Sequence, residues 1–298
     1  MNPVSRILSY YEGDNPGTKA NLYRFLSAGA LGGTGRMVIL PIDQGVEHGP
    51  AASFARNPQG YDPEYHFDLA IEGKLSGLAA PLGFLESASD RFAGRIPTIL
   101  KLNNATTLTS SYDQAFTASV SDALRLGCSG VGITIYPGSP RFEEMLEEST
   151  ETIREAKSFG LPCFMWAYPR GGALNKEAET AIDVVAYAVH VAANLGAHVI
   201  KVKAPTSHVA LTTQAGIYDW VKESTLEQRI SHICECAFKG RRIVIFSGGA
   251  RRTDESLFEE AAAIRAGGGN GSIIGRNAFQ RPKAEALAML SRIVETYR

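Results

Sequence analysis

Several features that would narrow the role of this chain at once are missing from it. No apolar run approaches the length of about 18 residues that a membrane span needs. The opening stretch, MNPVSRILSYYEGDNPGTK, lacks the basic-then-apolar order of a secretory leader. A cytoplasmic location is therefore the expectation. Neither charge dominates: 30 basic against 31 acidic residues leave a formal net charge of −1. That balance gives no electrostatic reason to bind nucleic acid or an anionic bilayer. Cysteine is scarce, and Cys128, Cys163, Cys234 and Cys236 form no CxxC pair. Neither a disulfide framework nor a zinc site is indicated, and all four read as reduced thiols. The histidines show no HxH or HExxH spacing, and there is no dinucleotide fingerprint and no P-loop.

What the chain does have is rhythm. Its 298 residues are 44% hydrophobic, enough to bury a sizeable core, and 30 glycines are spread along it. After residues 1–36, a helical and coil segment expected to close one end of the fold, short apolar runs recur. They are Met37–Ile42, Gly77–Ala80, Thr98–Leu102, Gly130–Ile135, Cys163–Ala167, Val199–Lys203, Ile243–Phe246 and Ser272–Ile274. Each is nearly continuous in apolar residues, as a parallel strand buried on both faces must be. Amphipathic patterns separate them at Tyr65–Lys74, Ala115–Leu126, Arg141–Phe159, Thr180–Leu195 and Leu257–Ala266, and Lys283–Tyr297 ends the chain. Eight strand-helix units in one chain predict a single α/β domain over 1–298, a (β/α)8 TIM barrel with a short N-terminal helical extension. The competing architecture is a doubly wound open sheet.

In such a barrel, chemistry gathers at the C-terminal strand ends. The sixth run, His198-Val199-Ile200-Lys201-Val202-Lys203, places Val199, Lys201 and Lys203 on one face by the two-residue period. Two ammonium groups on a buried strand are costly. They belong at a solvated edge or in a polar site where their pKa is lowered. The first run exits into Asp43-Gln44-Gly45-Val46-Glu47-His48, where Asp43 is placed to handle a substrate hydroxyl or to cap the turn. Lys101 and Tyr136 end the third and fourth runs. Trp166 and Tyr168 share a face at the end of the fifth, followed by Arg170, placed for an anionic substrate or a neighbouring carboxylate. The seventh and eighth runs lead into Ser247-Gly248-Gly249-Ala250-Arg251 and Gly275-Arg276. Glycine loops after the last two strands are a frequent phosphate seat in barrels.

A phosphate seat, an inward lysine, a tyrosine and an aspartate suit carbonyl chemistry through an imine. The attacking amine must be neutral. A lysine of ordinary pKa is neutral in only ~0.04% of molecules at pH 7. An apolar wall and a neighbouring ammonium raise that fraction, and Lys203 is expected to supply the ammonium beside Lys201.

Six motifs, IDQGVEHGP, AAPLGFLE, WAYPRG, HVIKVKAPT, FSGGA and IIGRNAFQRP, together resemble the class I fructose-1,6-bisphosphate aldolases of the bacterial and archaeal type, from about Met37 to the C-terminus. The resemblance implies a single barrel, assembly as a large homo-oligomer, and no metal. It implies reversible cleavage to dihydroxyacetone phosphate and glyceraldehyde 3-phosphate in glycolysis or gluconeogenesis. By position it implies Lys201 as the Schiff-base lysine, Tyr168 as the acid/base with Trp166 beside it, and Asp43 as the first-strand aspartate. It implies Ser247, Gly248, Gly249, Gly275 and Arg276 as the phosphate loops, and Arg170 is the candidate for a second phosphate on its own placement. Lys203 is not assigned by resemblance. A related imine lyase or transferase, and a phosphosugar-binding barrel without turnover, are the alternatives.

Overall fold

The computed structural model describes residues 1–109, 111–172, 174–249 and 252–298. Eight apolar runs form parallel strands: β1 (Met37–Pro41), β2 (Gly77–Ala80), β3 (Thr98–Lys101), β4 (Gly130–Ile135), β5 (Cys163–Ala167), β6 (Val199–Lys203), β7 (Ile243–Ser247) and β8 (Gly271–Ile273). They close on themselves in the order β1-β8-β7-β6-β5-β4-β3-β2, so every strand pairs with its neighbours in the chain and the ring is sealed between β1 and β8. The (β/α)8 barrel expected from the sequence is the observed fold.

Alternation along the strands builds two apolar layers. Val38, Leu40, Leu78, Leu100, Met165, Ile200, Val202, Val244 and Phe246 point outward and pack under the surrounding helices. Met37, Ile39, Ala79, Ile99, Phe164, Trp166, Val199, Ile243, Ile245 and Ile273 fill the barrel itself. Glycine on neighbouring strands makes that filling possible. A Cβ on Gly132 of β4 would stand 2.7 Å from the Trp166 ring, and one on Gly77 of β2 would stand 2.9 Å from Phe25. The rings occupy the space a side chain would take, close to crystal-like packing density.

The N-terminal extension closes the bottom of this barrel. Asn2 and Asn15 cap helices Pro3–Leu8 and Pro16–Ser27, each with proline in the first turn. Leu22, Phe25 and Leu26 of the second helix are fully buried against the barrel floor. Between the helices, the Tyr11 hydroxyl donates to the His198 carbonyl at 2.6 Å and accepts from the Ile243 N–H at 3.2 Å. His198 accepts from the Cys163 N–H on Nδ1 at 2.9 Å, which leaves its Nε2 to face Asp14 at 3.3 Å. The expectation that this segment closes one end holds, and the end is the one opposite the chemistry.

Three elements differ from the sequence reading. The helix expected over Ala115–Leu126 begins only at Val120, where Ser119 and Asp122 form a reciprocal capping box. Ala115–Phe116 instead pairs antiparallel with Asn103–Asn104 in a short ladder over the rim. Helices Leu82–Phe92 and Leu226–Cys236 fill the two gaps where no helical pattern was read.

Candidate active site

Lys201 lies on the inward face of β6 with its side chain inside the ring of strands and only 4% exposed. Its register partners are Trp166 on β5 and Ile245 on β7. The Lys201 Nζ stands 4.8 Å from the centroid of the Trp166 indole and 5.3 Å from that of the Tyr168 ring. The solvated edge strand weighed in the sequence is excluded by the closed barrel. Trp166 can occupy that place because Gly132 leaves room for it, and its Nε1 has no hydrogen-bond partner.

Around Lys201 opens a cleft lined by the expected strand ends: Asp43, Tyr168, Arg170, Lys201, Lys203, Ser247, Gly248, Gly249, Gly275 and Arg276, together with Glu47 and His48. Trp166 lines a smaller adjoining pocket, which shares Asp43, Glu47 and Tyr168 with the main cleft and adds Lys101, Gln114 and Tyr136. All the expected site residues thus line one or other of two adjoining pockets. Ala250 and Arg251 of the seventh-strand loop lie outside the described residues.

Asp43 follows β1 and is almost wholly buried, yet its Oδ1 meets no donor. A buried carboxylate oxygen without a partner is costly, which makes it a ready acceptor for a hydroxyl brought in by a ligand. Arg170 uses the second of the alternatives left open for it. Its Nη1 donates to Glu47 Oε1 at 2.7 Å and to the Tyr136 hydroxyl at 3.2 Å, and its guanidinium stacks on Tyr136 and Tyr168 at 5.1 and 5.7 Å. Burial alone would raise the Glu47 pKa, but Arg170 outweighs it and the carboxylate is held below its usual range. Glu47 also accepts the Thr107 N–H on its backbone carbonyl at 2.9 Å, so one residue joins the loops after β1, β3 and β5.

The two remaining lysines sit differently from the expectation. Lys203 does not serve as the ammonium beside Lys201. Its Nζ bonds to Glu179 Oε2 at 3.0 Å, beyond the end of β6. Glu179 is buried and its other oxygen takes Lys176 at 3.0 Å. Burial would raise Glu179, but the hydrogen bonds from Lys176 and Lys203 outweigh it and lower its pKa. The cation that faces Lys201 is Lys101 on β3, 2% exposed and 5.6 Å from the same Trp166 ring. It donates to the Asn103 carbonyl and, at 2.8 Å, to Asn103 Oδ1. Burial pushes the Lys101 amine down to about 7, with Asp43 opposing and Lys201 adding to the fall.

The loops after β7 and β8 are fixed by a side chain the sequence reading passed over. Asn277 Nδ2 donates to the Gly248 carbonyl at 3.1 Å, and its Oδ1 accepts the Arg252 N–H at 3.0 Å. Arg252 in turn bonds the Gly248 carbonyl and Glu260. Gly249 has φ +65°, and a Cβ on Gly275 would meet the Pro41 carbonyl at 2.9 Å. Both positions therefore require glycine for backbone reasons. Asn277 was visible only as the third residue of GRN, with nothing local to mark it.

A buried amine between an indole and a phenol, at the mouth of a parallel barrel, is the equipment of the aldolases that work through a lysine imine. The chain belongs to the DeoC/LacD family of aldolases, which it matches over residues 37–281. It is 35% identical over 307 residues to the probable fructose-bisphosphate aldolase class 1 of Chlamydia trachomatis, covering 99% of this chain and 88% of that one. It is 36% identical over 252 residues to the fructose-bisphosphate aldolase class 1 of Thermoproteus tenax, covering 84% and 86%. Among solved structures it is similar to an archaeal fructose-1,6-bisphosphate aldolase with the catalytic lysine covalently bound to the carbinolamine intermediate of the substrate. That match has TM-score 0.77, 34% identity and coverage of 92% and 98%.

Proposed function

We propose that the protein is a class I fructose-1,6-bisphosphate aldolase and that Lys201 is its nucleophile. The observation that carries the reading is the placement of the Lys201 amine inside the closed barrel, against Trp166 and Tyr168. Neutral Lys201 attacks the C2 carbonyl, and the carbinolamine loses water to give an iminium. The Tyr168 phenol protonates the departing carbinolamine hydroxyl, and the phenolate it leaves then takes the C4 hydroxyl proton, with Asp43 accepting from a neighbouring hydroxyl. The C3–C4 bonding electrons move onto the iminium nitrogen as glyceraldehyde 3-phosphate departs. Tyr168 returns the proton to C3 of the enamine. Water then hydrolyses the imine, which releases dihydroxyacetone phosphate and restores the amine. The Ser247–Gly249 and Gly275–Arg276 loops supply backbone N–H groups and one guanidinium for a phosphate. The route uses a covalent lysine and no resident cofactor.

Assembly into a homo-oligomer and a cytoplasmic location belong to the same reading. Exposed Tyr187, Ile217 and Trp220 support the first. No helix among the described residues is long and apolar enough to cross a membrane.

Cleavage of fructose 1,6-bisphosphate should be insensitive to EDTA. It should fall by about a thousandfold or more in Lys201→Met. Borohydride with dihydroxyacetone phosphate should fix an adduct that peptide mapping places on Lys201. Near-normal turnover in Lys201→Met, or an adduct on another lysine, sinks the proposal.

A further inference from the structure

The cations of the cleft are not equally answered. Arg170 faces Glu47 at 2.7 Å, one charge against one. Lys203 shares the single carboxylate of Glu179 with Lys176, each at 3.0 Å, so that cluster keeps a net positive charge beside the substrate cleft. The strand register fixes where that charge sits. Lys203 is the direct partner of Ser247, the first residue of the glycine loop after β7. On the other side of Ser247 the partner is Ile273, two residues before Gly275. The β7 loop is therefore flanked by Lys203 from β6 and by Gly275–Arg276 from β8, and all of these line the same cleft. An ammonium carries three donors in a fan, and Glu179 takes one of them.

We propose that Lys203 is a ligand of the substrate phosphate seated on the Ser247–Gly249 loop, held at that loop by Glu179. The proposal rests on the imine reading above and adds to it the residue that distinguishes a phosphorylated ketone from an unphosphorylated one. Glu179 is a positioning residue: it is buried at the foot of the loop after β5 and acts only through Lys203. The bland alternative is that the Lys203–Glu179 pair merely ties the loop after β5 to β6. The two roles separate cleanly, because a tether is broken equally from either end and a phosphate ligand is not.

The test is borohydride trapping on Lys201 with dihydroxyacetone phosphate and with dihydroxyacetone, read as the ratio of half-saturating concentrations. The variants are Lys203→Met, Lys203→Arg and Glu179→Gln. Lys203→Met should lose about thirtyfold of the preference for the phosphorylated ketone, the scale of one charge-assisted hydrogen bond. Lys203→Arg, which keeps a cation there, should restore most of it. Glu179→Gln, whose amide oxygen still accepts a hydrogen bond from Lys203, should leave trapping of dihydroxyacetone near that of the parent and keep the ratio within about threefold. A ratio that moves equally in Lys203→Met and Glu179→Gln, or that stays unchanged in Lys203→Met, overturns the assignment. If the unaltered protein traps neither ketone, the imine reading falls and this one falls with it. If it traps both but Lys203→Met keeps the preference, only the role of Lys203 is refuted.

Discussion

Replacing Lys101 by methionine should make the protein more stable, and the gain should shrink as the pH rises. The amine is 2% exposed and titrates at about 7, whereas the same lysine in the unfolded chain titrates near its ordinary value of 10.5. Below about pH 10 the unfolded state holds a proton that the folded state holds only weakly, so the pair of values costs the native state free energy. The cost deepens as pH falls from 10.5 toward 7 and levels off below that, where both states are protonated. At 1.36 kcal/mol per pKa unit the linkage amounts to about 4 kcal/mol at pH 7 and about 2 kcal/mol at pH 9. Methionine keeps the apolar stem and removes the charge, while forgoing the bonds to Asn103, so the net gain at pH 7 should be about 2–4 kcal/mol. Urea unfolding of both proteins at pH 7 and pH 9 checks this. The difference between them should narrow by about 2 kcal/mol at the higher pH. A difference that stays flat, or a variant less stable than its parent at pH 7, refutes the reasoning about this amine. A lysine retained where a methionine would stabilise the fold fits a barrel mouth whose polar groups are kept for chemistry.

Two further outcomes follow from the packing. Gly132→Ala should push against the Trp166 ring, costing about 1–3 kcal/mol from overpacking. It should lower the rate of imine trapping on Lys201 more than it raises the half-saturating ketone concentration, and trapping kinetics that match the parent would detach Trp166 from the nucleophile. His66 is fully buried, donates from Nε2 to the Gly60 carbonyl at 2.8 Å, and is pushed by burial down to about 4. Its folded pKa lies below the ordinary 6.5, so its contribution is intact above that value and is lost as pH falls toward 4. Between pH 7.5 and pH 5 the protein should lose about 2 kcal/mol more stability than His66→Gln, measured by urea unfolding. Equal losses would exclude His66 as the acid-sensitive group.

The barrel was legible because β strands buried on both faces need unbroken apolar runs, and eight such runs cannot hide. The helices were less so. Leu226–Cys236, LEQRISHICEC, does carry helical signals, with Leu226, Ile230, Ile233 and Cys234 at i, i+4, i+7 and i+8 and a Thr225–Gln228 capping box, but its apolar stripe is short and interrupted by charged residues. Ala115–Phe116 read as helix because its apolar residues continue the pattern of the real helix beyond Ser119. Within the site, the strand-end rule pointed to Asp43, Tyr168 and the Lys201–Lys203 pair, and it was the family resemblance, not the period of two, that chose Lys201. Neither could assign partners. Lys201 and Lys203 share a face, yet the carboxylate that captures Lys203 lies 24 residues upstream, and Lys101 reaches the Trp166 ring from a strand across the barrel. Such pairings depend on closure of the ring, which no local window contains.

The floor of the barrel bears on how the chain is made. Tyr11 finds its partners 187 and 232 positions further along, at His198 and Ile243. Because synthesis runs toward the C-terminus, helices Pro3–Leu8 and Pro16–Ser27 are complete long before β7 exists to receive them. Their apolar face, with Leu22, Phe25 and Leu26, must wait without its native cover through most of translation. Docking of the segment is a long-range, late event of high loop-closure cost. This segment, made before the strands that receive it, is thus among the last to reach its place, and during that interval it is exposed to misassociation.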